Sequence, residues 1–319
     1  MTVYDVFNGD ADGICALIQL RLDQPQQSER VTGVKRDIAL LSRVVPNAGD
    51  HINVLDISME KNRRDLLRVL DSGASVFYCD HHVAGDIPRH GSLTSLINTE
   101  ANVCTSLLIN GHLRGAYAPW AVVGAYGDNL VQSAEALAKT LSLSASQCGQ
   151  LQNLGIYINY NGYGASLDDL HFSPLDLFAR LSRYDTPLEF IADDSESYQC
   201  LEEGYRRDMS NASACQVLRA SASAAAFLLP DEKWARRVSG VYGNDLANDN
   251  PERAHAVLTE KADGSYLVSV RAPLNDKRDA DQLCGEFPSG GGRKAAAGIN
   301  ALPAELLAHF LDRLEETYR

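Results

Sequence analysis

Four short apolar runs in the first eighty residues have the composition of buried β-strands: 3–7, 31–34, 51–58 and 74–79. Stretches with helical periodicity lie between them. Ile14, Leu17 and Ile18 share one helical face, and residues 60–70 are amphipathic. Strands that alternate with helices are typical of βαβ units. The pattern therefore predicts an α/β fold with a parallel sheet in the N-terminal part of the chain.

The middle of the chain is mostly helical in pattern, with helices predicted over 101–110, 133–141 and 173–184. Residues 156–164 are rich in Tyr and Asn, and we predict a loop there, which either stacks on a nucleotide base or simply packs. Residues 193–214 are strongly polar. They suit a helix that links two domains, and an ordinary surface helix is the alternative.

The last hundred residues have a different pattern, with strands predicted over 224–229, 237–242, 254–259 and 265–270. Ala262-Asp263-Gly264 is a hairpin signal between the last two. Helices are predicted over 280–287 and from Pro303 onwards. This change of pattern predicts a smaller second α/β domain, with the boundaries 1–192, linker helix 193–214, and 215–319.

A glycine-rich segment, 289–298, lies between the last two predicted helices. Glycines permit backbone conformations in which successive N–H groups converge on an anion. We expect a helix to follow this segment and to add its positive end to the site. The segment is therefore a predicted phosphate contact.

Acidic and histidine side chains stand where the predicted strands end. Asp10 and Asp12 follow the first strand, Asp56 ends another, and Asp80-His81-His82 follows the run at 74–79. Because the carboxyl ends of parallel strands share one edge of a sheet, we expect a single site there. Asp128 follows a further apolar stretch. Carboxylates with a single imidazole ligand suit Mn²⁺ better than Zn²⁺.

Composition restricts the partners that can be expected. The formal net charge is −13, which is the wrong sign for binding long duplex nucleic acid through many phosphates. The seven cysteines form no Cys-x-x-Cys pair and are predicted to be free thiols. No apolar run is long enough for a bilayer span and no export signal is recognisable, so we expect a cytoplasmic location without a membrane partner.

Four motifs resemble, in order and spacing, those of the DHH phosphoesterase family: Asp10-x-Asp12-Gly13, Asp56, Asp80-His81-His82 and Asp128. The distal Gly290-Gly291-Gly292 segment resembles the glycine motif of the DHH-associated domain. The resemblance covers nearly the whole chain. It implies a nanoRNase/oligoribonuclease-like or exopolyphosphatase-like protein, with a metal-binding catalytic domain at 1–192 and a substrate-binding domain at 215–319. The active site would lie in the cleft between the two domains.

The resemblance also implies a centre that holds two Mn²⁺ ions, with Mg²⁺ as the alternative. Asp56 would bridge the ions and Asp10 would bind the first of them. The second ion would be bound by Asp12, His81 and Asp128.

The same resemblance assigns the residues that would meet the substrate. His82 would face the substrate phosphate, and Asp80 would orient an imidazole. Arg271 and the distal segment would bind the far phosphate or nucleotide; the residues of that segment are Gly290, Gly291, Gly292 and Arg293.

Two positions depart from the family pattern. Many members have a histidine ligand four residues before the first motif aspartate, where this chain has Val6; Asn8 is the best available substitute. The distal motif ends in Arg293 where the family has histidine, and arginine offers a permanently charged fork for phosphate. Lys35 and Arg36 could contact phosphate, although a solvated surface position is the stronger expectation for both.

The leading hypothesis is a metal-dependent phosphodiesterase that degrades short oligonucleotides or linear dinucleotides to mononucleotides with a metal-activated water. One alternative is an exopolyphosphatase or a 3′-phosphoadenosine 5′-phosphate phosphatase, because Arg271 and Arg293 suit a highly charged substrate without a base. A third hypothesis is a non-catalytic nucleotide-binding module, which the absent histidine motivates. A homodimer is left open.

Overall fold

All residues from Met1 to Arg319 are described by the computed structural model, which divides into two units, Met1–Glu202 and Glu203–Arg319. Each unit has a β-sheet of its own. None of the helices combines the length and the apolar character that a bilayer span requires.

A five-stranded sheet forms the centre of unit 1. Its strands are β1 (Val3–Phe7), β2 (Glu29–Val31), β3 (His51–Leu55), β4 (Ser75–Asp80) and β5 (Leu93–Ile97). They lie in the order β2-β1-β3-β4-β5, and every neighbouring pair is parallel. The predicted parallel sheet is therefore confirmed. The sequence pattern did not predict β5, which is short and only partly buried.

Nine helices belong to or begin in this unit: α1 (Ala11–Asp23), α2 (Met59–Asp71), α3 (Thr105–His112), α4 (Ala118–Gly127), α5 (Val131–Ala138), α6 (Ala145–Gly162), α7 (Pro174–Leu181), α8 (Pro187–Asp193) and α9 (Ser195–Ser213). Short 3₁₀ turns occur at Leu40–Arg43, Lys139–Leu141 and Leu167–Asp169. The core packs Val6, Val54 and Tyr78 of three adjacent strands against apolar side chains such as Leu66 of α2. These strands carry nearly continuous buried residues because parallel sheets are covered by helices.

Unit 2 is built on a six-stranded mixed sheet. Its elements are β6 (Gln216–Ala220), β7 (Ala224–Leu229), α10 (Lys233–Asp249), β8 (Ala254–Glu260), β9 (Tyr266–Arg271), α11 (Ala280–Gly285), β10 (Gly290–Arg293), β11 (Ala296–Leu302), a 3₁₀ turn at Ala304–Leu306, and α12 (Leu307–Thr317). The strand order is β10-β11-β9-β8-β7-β6. Only β7 and β8 are parallel neighbours, and α10 connects them. The hairpin between β8 and β9 forms at Gly264, whose φ of 80° suits glycine.

Two predicted elements in the helical regions were wrong. The predicted strand 237–242 lies inside α10, where Val238 and Val241 are buried one turn apart on one face. The predicted loop 156–164 is mostly the end of α6, because apolar and aromatic residues at helical spacing pack into the core. In both places β-favouring residues occur in a helix, since burial outweighs local propensity.

The glycine-rich segment also differs from its prediction. Residues Gly290–Arg293 form the edge strand β10, and the chain returns directly as β11 in antiparallel register. No helix follows the glycines, so the expected contribution of a positive helix end is wrong. Residue 292 has a φ of 151°, and a Cβ there would lie 2.4 Å from Cα of Ala297. The glycine at this position is therefore explained by the tight pairing of the hairpin.

A buried ion pair joins β1 to α1 and gives a test of the fold. Asp5 is fully buried and accepts hydrogen bonds from Arg21 Nε at 2.8 Å and from Asn53 Nδ2 at 2.9 Å. We expect Asp5→Ala to lower the free energy of unfolding by about 3 kcal/mol, because it leaves the Arg21 charge without its buried partner. Urea unfolding followed by circular dichroism measures this change.

Asp65→Ala is the control, since Asp65 pairs with Arg68 on the exposed surface of α2. We expect a much smaller change for this variant. Equal effects of the two substitutions would contradict the structural role given to Asp5.

Candidate metal centre

The motif residues lie together at the carboxyl ends of three adjacent strands. Strand β1 ends at Phe7, β3 ends at Leu55, and β4 ends at Asp80. These strands are neighbours in the order β1-β3-β4, so the chain that leaves each of them enters the same region. The sheet thus explains how motifs separated by up to seventy residues reach one place.

The first motif forms the start of α1. Asp10 is the N-cap residue, and its Oδ1 accepts a hydrogen bond from the N–H of Gly13 at 3.1 Å. A Cβ on Gly13 would lie 2.3 Å from the carbonyl oxygen of Asn8. Glycine is therefore needed at this position, because the backbone folds back tightly on itself between the strand and the helix.

Asp12 connects the first motif to α3. Its carboxylate accepts hydrogen bonds from the backbone N–H groups of Thr105 and Ser106, both at 2.7 Å. These are the first two residues of α3, so a negative charge faces the positive end of a helix. Asp12 therefore fixes α3 against the site in addition to any role as a ligand.

Asp56 has an unusual backbone conformation. Its φ is 60°, in the left-handed region that non-glycine residues seldom adopt. Its N–H donates to the carbonyl of Cys79 at 3.0 Å, and its Oδ1 accepts from Thr105 Oγ1 at 3.1 Å. Strained positions of this kind cluster at functional sites. These contacts hold the carboxylate of Asp56 in one orientation.

His81 has the orientation of a metal ligand. Its Nδ1 donates to the carbonyl oxygen of Val103 at 2.9 Å, which directs Nε2 into the site. Nε2 lies 3.4 Å from Asp56 Oδ1, and its distances to Asp12 Oδ2 and Asp128 Oδ2 are 3.9 Å and 3.8 Å. Atoms that bind one cation at about 2.0–2.6 Å are separated by about 3–5 Å, so each of the three carboxylate oxygens has a suitable distance from Nε2.

The neighbouring imidazole is held differently. His82 Nδ1 contacts Asp80 Oδ1 at 2.7 Å, and it lies 3.9 Å from Asp56 Oδ1. The His82 side chain is 33% exposed, whereas that of His81 is 3% exposed. His82 is therefore the histidine that a substrate could reach, and Asp80 orients it. The positions of His82 and Asp80 agree with the roles predicted for them, in which His82 faces the substrate phosphate and Asp80 orients an imidazole. Both roles stay predictions.

The carboxylates affect each other electrostatically. Burial raises the pKa of Asp56 well above its usual value, and the charges of Asp12, Asp10 and the other nearby carboxylates raise it further. Burial would also raise the pKa of Asp10, but the Lys35 ammonium, together with hydrogen bonds from Gly13 and Asp56, outweighs burial and lowers that pKa. Positive charge is therefore favourable beside both residues.

Lys35 is a site residue that sequence reasoning missed. Its ammonium forms an ion pair with Asp10 Oδ2 and donates to Asn159 Oδ1 at 2.8 Å. Burial acts to lower the pKa of Lys35, but the adjacent Asp10 carboxylate, together with Tyr163 and Asp128, outweighs burial and raises that pKa. The expectation of a solvated surface lysine was wrong. No local pattern distinguishes a lysine after a short edge strand from a surface residue, because its partner is 25 residues away.

The residues present fit a hard divalent cation. Three carboxylates and one imidazole nitrogen form the donor set, which suits Mn²⁺ or Mg²⁺. Asp56, His81 and His82 each present a ligand atom within 4.8 Å of the others. Asn8 Oδ1 is buried without a hydrogen-bond partner, so this oxygen is available to a cation. Val6, in contrast, belongs to the apolar core.

The predicted substrate contacts of unit 2 lie on its sheet. Arg271 ends β9, and its guanidinium donates to Asn244 Oδ1 at 2.7 Å, Ser269 Oγ at 2.9 Å and the carbonyl of Gly240 at 3.2 Å. Arg293 ends β10 and is exposed. Arg271 is therefore already held by its own unit, whereas Arg293 is open to solvent.

The tyrosines considered for base stacking are not on a loop surface. Tyr157 and Tyr160 are buried in α6, and Tyr160 Oη lies 2.8 Å from His171 Nε2. Tyr163 is buried as well, with its ring 5.3 Å from the Lys35 ammonium. The stacking interpretation was wrong, because α6 places these rings in the core of unit 1.

No protein-family model matches this sequence, and no curated protein matches it. Solved structures do match the fold. The DHH domain of a member of the s1p family of ribosomal proteins aligns at 11% identity and a TM-score of 0.65, over 99% of this chain and 86% of that one. The exonuclease RecJ bound to manganese aligns at 17% identity and a TM-score of 0.61, over 99% of this chain and 90% of that one.

A third similar structure is the pGpG-specific phosphodiesterase PggH from Vibrio cholerae. It aligns at 15% identity and a TM-score of 0.55, over 99% of this chain and 97% of that one. These likenesses establish the fold: the chain has the fold of the DHH-domain proteins, with a second, smaller α/β unit. The resemblance drawn from the four motifs is confirmed at this level.

Substitutions at Asp12 and Asp128 separate a structural role from a ligand role. In protein without metal, we expect Asp12→Ala to lower the free energy of unfolding by about 2 kcal/mol, since two buried N–H groups lose their acceptor. We expect Asp128→Ala to leave stability unchanged or raised, because it removes one of several neighbouring negative charges. Both variants should bind Mn²⁺ more weakly than the wild type.

Thermal unfolding in chelator and calorimetric titration with Mn²⁺ measure the two effects. Unchanged Mn²⁺ affinity in Asp128→Ala would contradict its assignment as a ligand. Equal stability of the two variants would contradict the role of Asp12 in holding α3.

Proposed function

We propose that this chain is a divalent-cation-dependent phosphodiesterase that hydrolyses linear dinucleotides and short oligonucleotides to mononucleotides. One observation carries the proposal. The bond from His81 Nδ1 to the carbonyl of Val103 directs Nε2 into the site, where it lies within 3.9 Å of carboxylate oxygens of Asp12, Asp56 and Asp128. Metal-binding histidines commonly have this arrangement, in which the other ring nitrogen donates to a backbone carbonyl.

Asp12, Asp56, His81 and Asp128 would hold the cation, and Mn²⁺ or Mg²⁺ suits their donor atoms. Such an ion lowers the pKa of a water ligand and offsets negative charge on phosphoryl oxygens. The protein holds these ligands in fixed orientations. Thr105 holds Asp56, and Val103 holds His81, so the ligands do not need to reorganise.

His82 and Asp80 would act on the substrate side of the ion. Hydrolysis adds one water to phosphorus, breaks one P–O ester bond and transfers a proton to the leaving oxygen. His82 is partly exposed and held by Asp80, so it would contact the phosphate that is attacked. We propose that Arg293 binds the distal phosphate or nucleotide, because it is exposed and permanently charged. Arg271 would have to give up hydrogen bonds within unit 2 before it could bind the substrate.

The preference for a short nucleic acid has two supports. The similar structures include a phosphodiesterase that is specific for the linear dinucleotide pGpG and an exonuclease. The net charge of −13 disfavours long duplexes. Polyphosphate and 3′-phosphoadenosine 5′-phosphate remain the competing substrates, and nucleotide binding without hydrolysis is the competing function.

A substrate panel tests the proposal. Purified protein with Mn²⁺ is incubated with linear dinucleotides, oligonucleotides of increasing length, cyclic dinucleotides, polyphosphate and 3′-phosphoadenosine 5′-phosphate. We expect hydrolysis of linear dinucleotides to be fastest, with loss in chelator and recovery when Mn²⁺ is restored. Hydrolysis of polyphosphate alone would favour the first alternative, and binding without hydrolysis would favour the nucleotide-binding module.

Asp56→Ala should reduce hydrolysis to background, because Asp56 would contact the ion and its carboxylate is held by Thr105. The matched control is Asp86→Ala, an exposed aspartate in the loop after the histidines. Initial rates with the best substrate measure both. Appreciable turnover by Asp56→Ala would contradict the proposed centre.

Arg293→Ala should raise KM about tenfold and change kcat little, since it removes roughly 1.4 kcal/mol of charge-assisted binding at a distance from the reacting bond. Lys277→Ala, an exposed cation of the same unit, is the control. A large fall in kcat at unchanged KM would contradict the distal contact.

A further inference from the structure

The Asp10 side of the centre contains a positive charge supplied by the chain. Lys35 Nζ forms an ion pair with Asp10 Oδ2, and the carboxylate of Asp10 is almost fully buried, with 4% of its side chain exposed. The same ammonium donates to Asn159 Oδ1 at 2.8 Å and lies 5.3 Å from the centre of the Tyr163 ring. Two oxygens and an aromatic face form a cation site that Lys35 itself fills.

Lys35 is fixed at its backbone as well as at its side chain. Its N–H donates to the carbonyl of Gly162 at 2.8 Å, and its own carbonyl accepts from Asn8 Nδ2 at 3.3 Å. A surface lysine that entered the site by chance would not need these anchors. The turn after β2 therefore delivers the ammonium to Asp10 in a defined position.

The two sides of the centre differ in their ligands. The side of His81 has an imidazole nitrogen and carboxylates at ligand spacing. On the other side the family's histidine position is Val6, which is part of the apolar core, and the nearest carboxylate, Asp10, is paired with Lys35. A second cation beside Asp10 would have to displace the Lys35 ammonium and would meet its charge.

We infer that the Lys35 ammonium takes the place of one of the two metal ions expected for a DHH centre, so that this chain binds a single divalent cation among Asp12, Asp56, His81 and Asp128. The inference rests on the proposed function, since it concerns the same site. It replaces the two-ion arrangement that the family resemblance implies. Asn8 then holds the Lys35 turn through its amide nitrogen.

A fixed ammonium differs chemically from a second metal ion. It supplies one positive charge that chelators cannot remove, and it cannot activate a water as a Lewis acid. Two of its three N–H donors are used by Asp10 and Asn159, and the third can donate to a phosphoryl oxygen. Lys35 would therefore bind substrate charge, and water activation would depend on the single ion.

The test counts metal ions and does not depend on activity. Full-length wild-type protein is titrated with Mn²⁺ by calorimetry, and bound metal is quantified after removal of excess. We expect one Mn²⁺ per chain, with the electron paramagnetic resonance spectrum of an isolated ion. In Lys35→Ala we expect two Mn²⁺ per chain and the signature of an exchange-coupled pair, because the Asp10 side becomes free for a second ion.

Two further variants complete the design. Lys35→Arg retains the positive charge and should bind one ion, and Lys61→Ala, which alters an exposed lysine of α2, should match the wild type. Circular dichroism confirms that each variant is folded. If Lys35→Ala does not fold, the wild-type stoichiometry and spectrum decide the question.

The outcomes separate this inference from the proposed function. Two coupled ions in the wild type would overturn the role of Lys35 while leaving a metal-dependent phosphodiesterase intact. A single ion in both wild type and folded Lys35→Ala would also overturn it. A wild-type chain that binds no Mn²⁺ would overturn both the inference and the proposed function, whereas one bound ion without hydrolysis of any substrate would contradict the proposed function alone.

Discussion

Negative charge concentrated at the carboxyl ends of three neighbouring strands is the constraint on which the structure depends. The carboxylates that meet there are Asp10, Asp12, Asp56, Asp80 and Asp128. Buried ions of like sign are unstable together unless each has a positive partner. Asp12 has the N–H groups that open α3, Asp10 has the Lys35 ammonium, and Asp80 has a contact with His82 Nδ1 at 2.7 Å. Asp56 accepts from the Thr105 hydroxyl, but burial and the charges of the neighbouring carboxylates raise its pKa well above the usual value.

This pattern of partners indicates where a cation is needed. A divalent ion beside Asp56 would supply positive charge there and would use the Nε2 atom of His81 as a ligand. Beside Asp10 the chain already supplies a cation through Lys35. The negative charge on the two sides of the centre is thus neutralised by different cations. One would be an exchangeable metal ion, and the other is the ammonium group of Lys35. This asymmetry connects the metal dependence of the proposed reaction to the arrangement of the carboxylates.

The fold provides the rigidity that such a site requires. Parallel strands bring the motif residues to one edge, and the helices that start there place backbone N–H groups toward the carboxylates. Gly13 allows the tight passage from strand to helix, and the left-handed backbone of Asp56 aims its carboxylate. Unit 2 is organised differently, since its glycine segment is an edge strand and its Arg271 donates to Asn244 and Gly240 of α10.

The sequence by itself determined the parallel sheet, the positions of three motifs at its strand ends and the family whose fold the chain has, because apolar runs and motif order can be read along the chain. The fourth motif residue, Asp128, ends helix α4 instead of a strand. Only the tertiary structure decided which charges are neighbours. Lys35 looks like a surface residue until the sheet places it beside Asp10, and residues 156–164 look like a loop until α6 packs them into the core. Such contacts join residues that are far apart in the sequence. The residues near each partner in the chain do not indicate which distant residue it will contact.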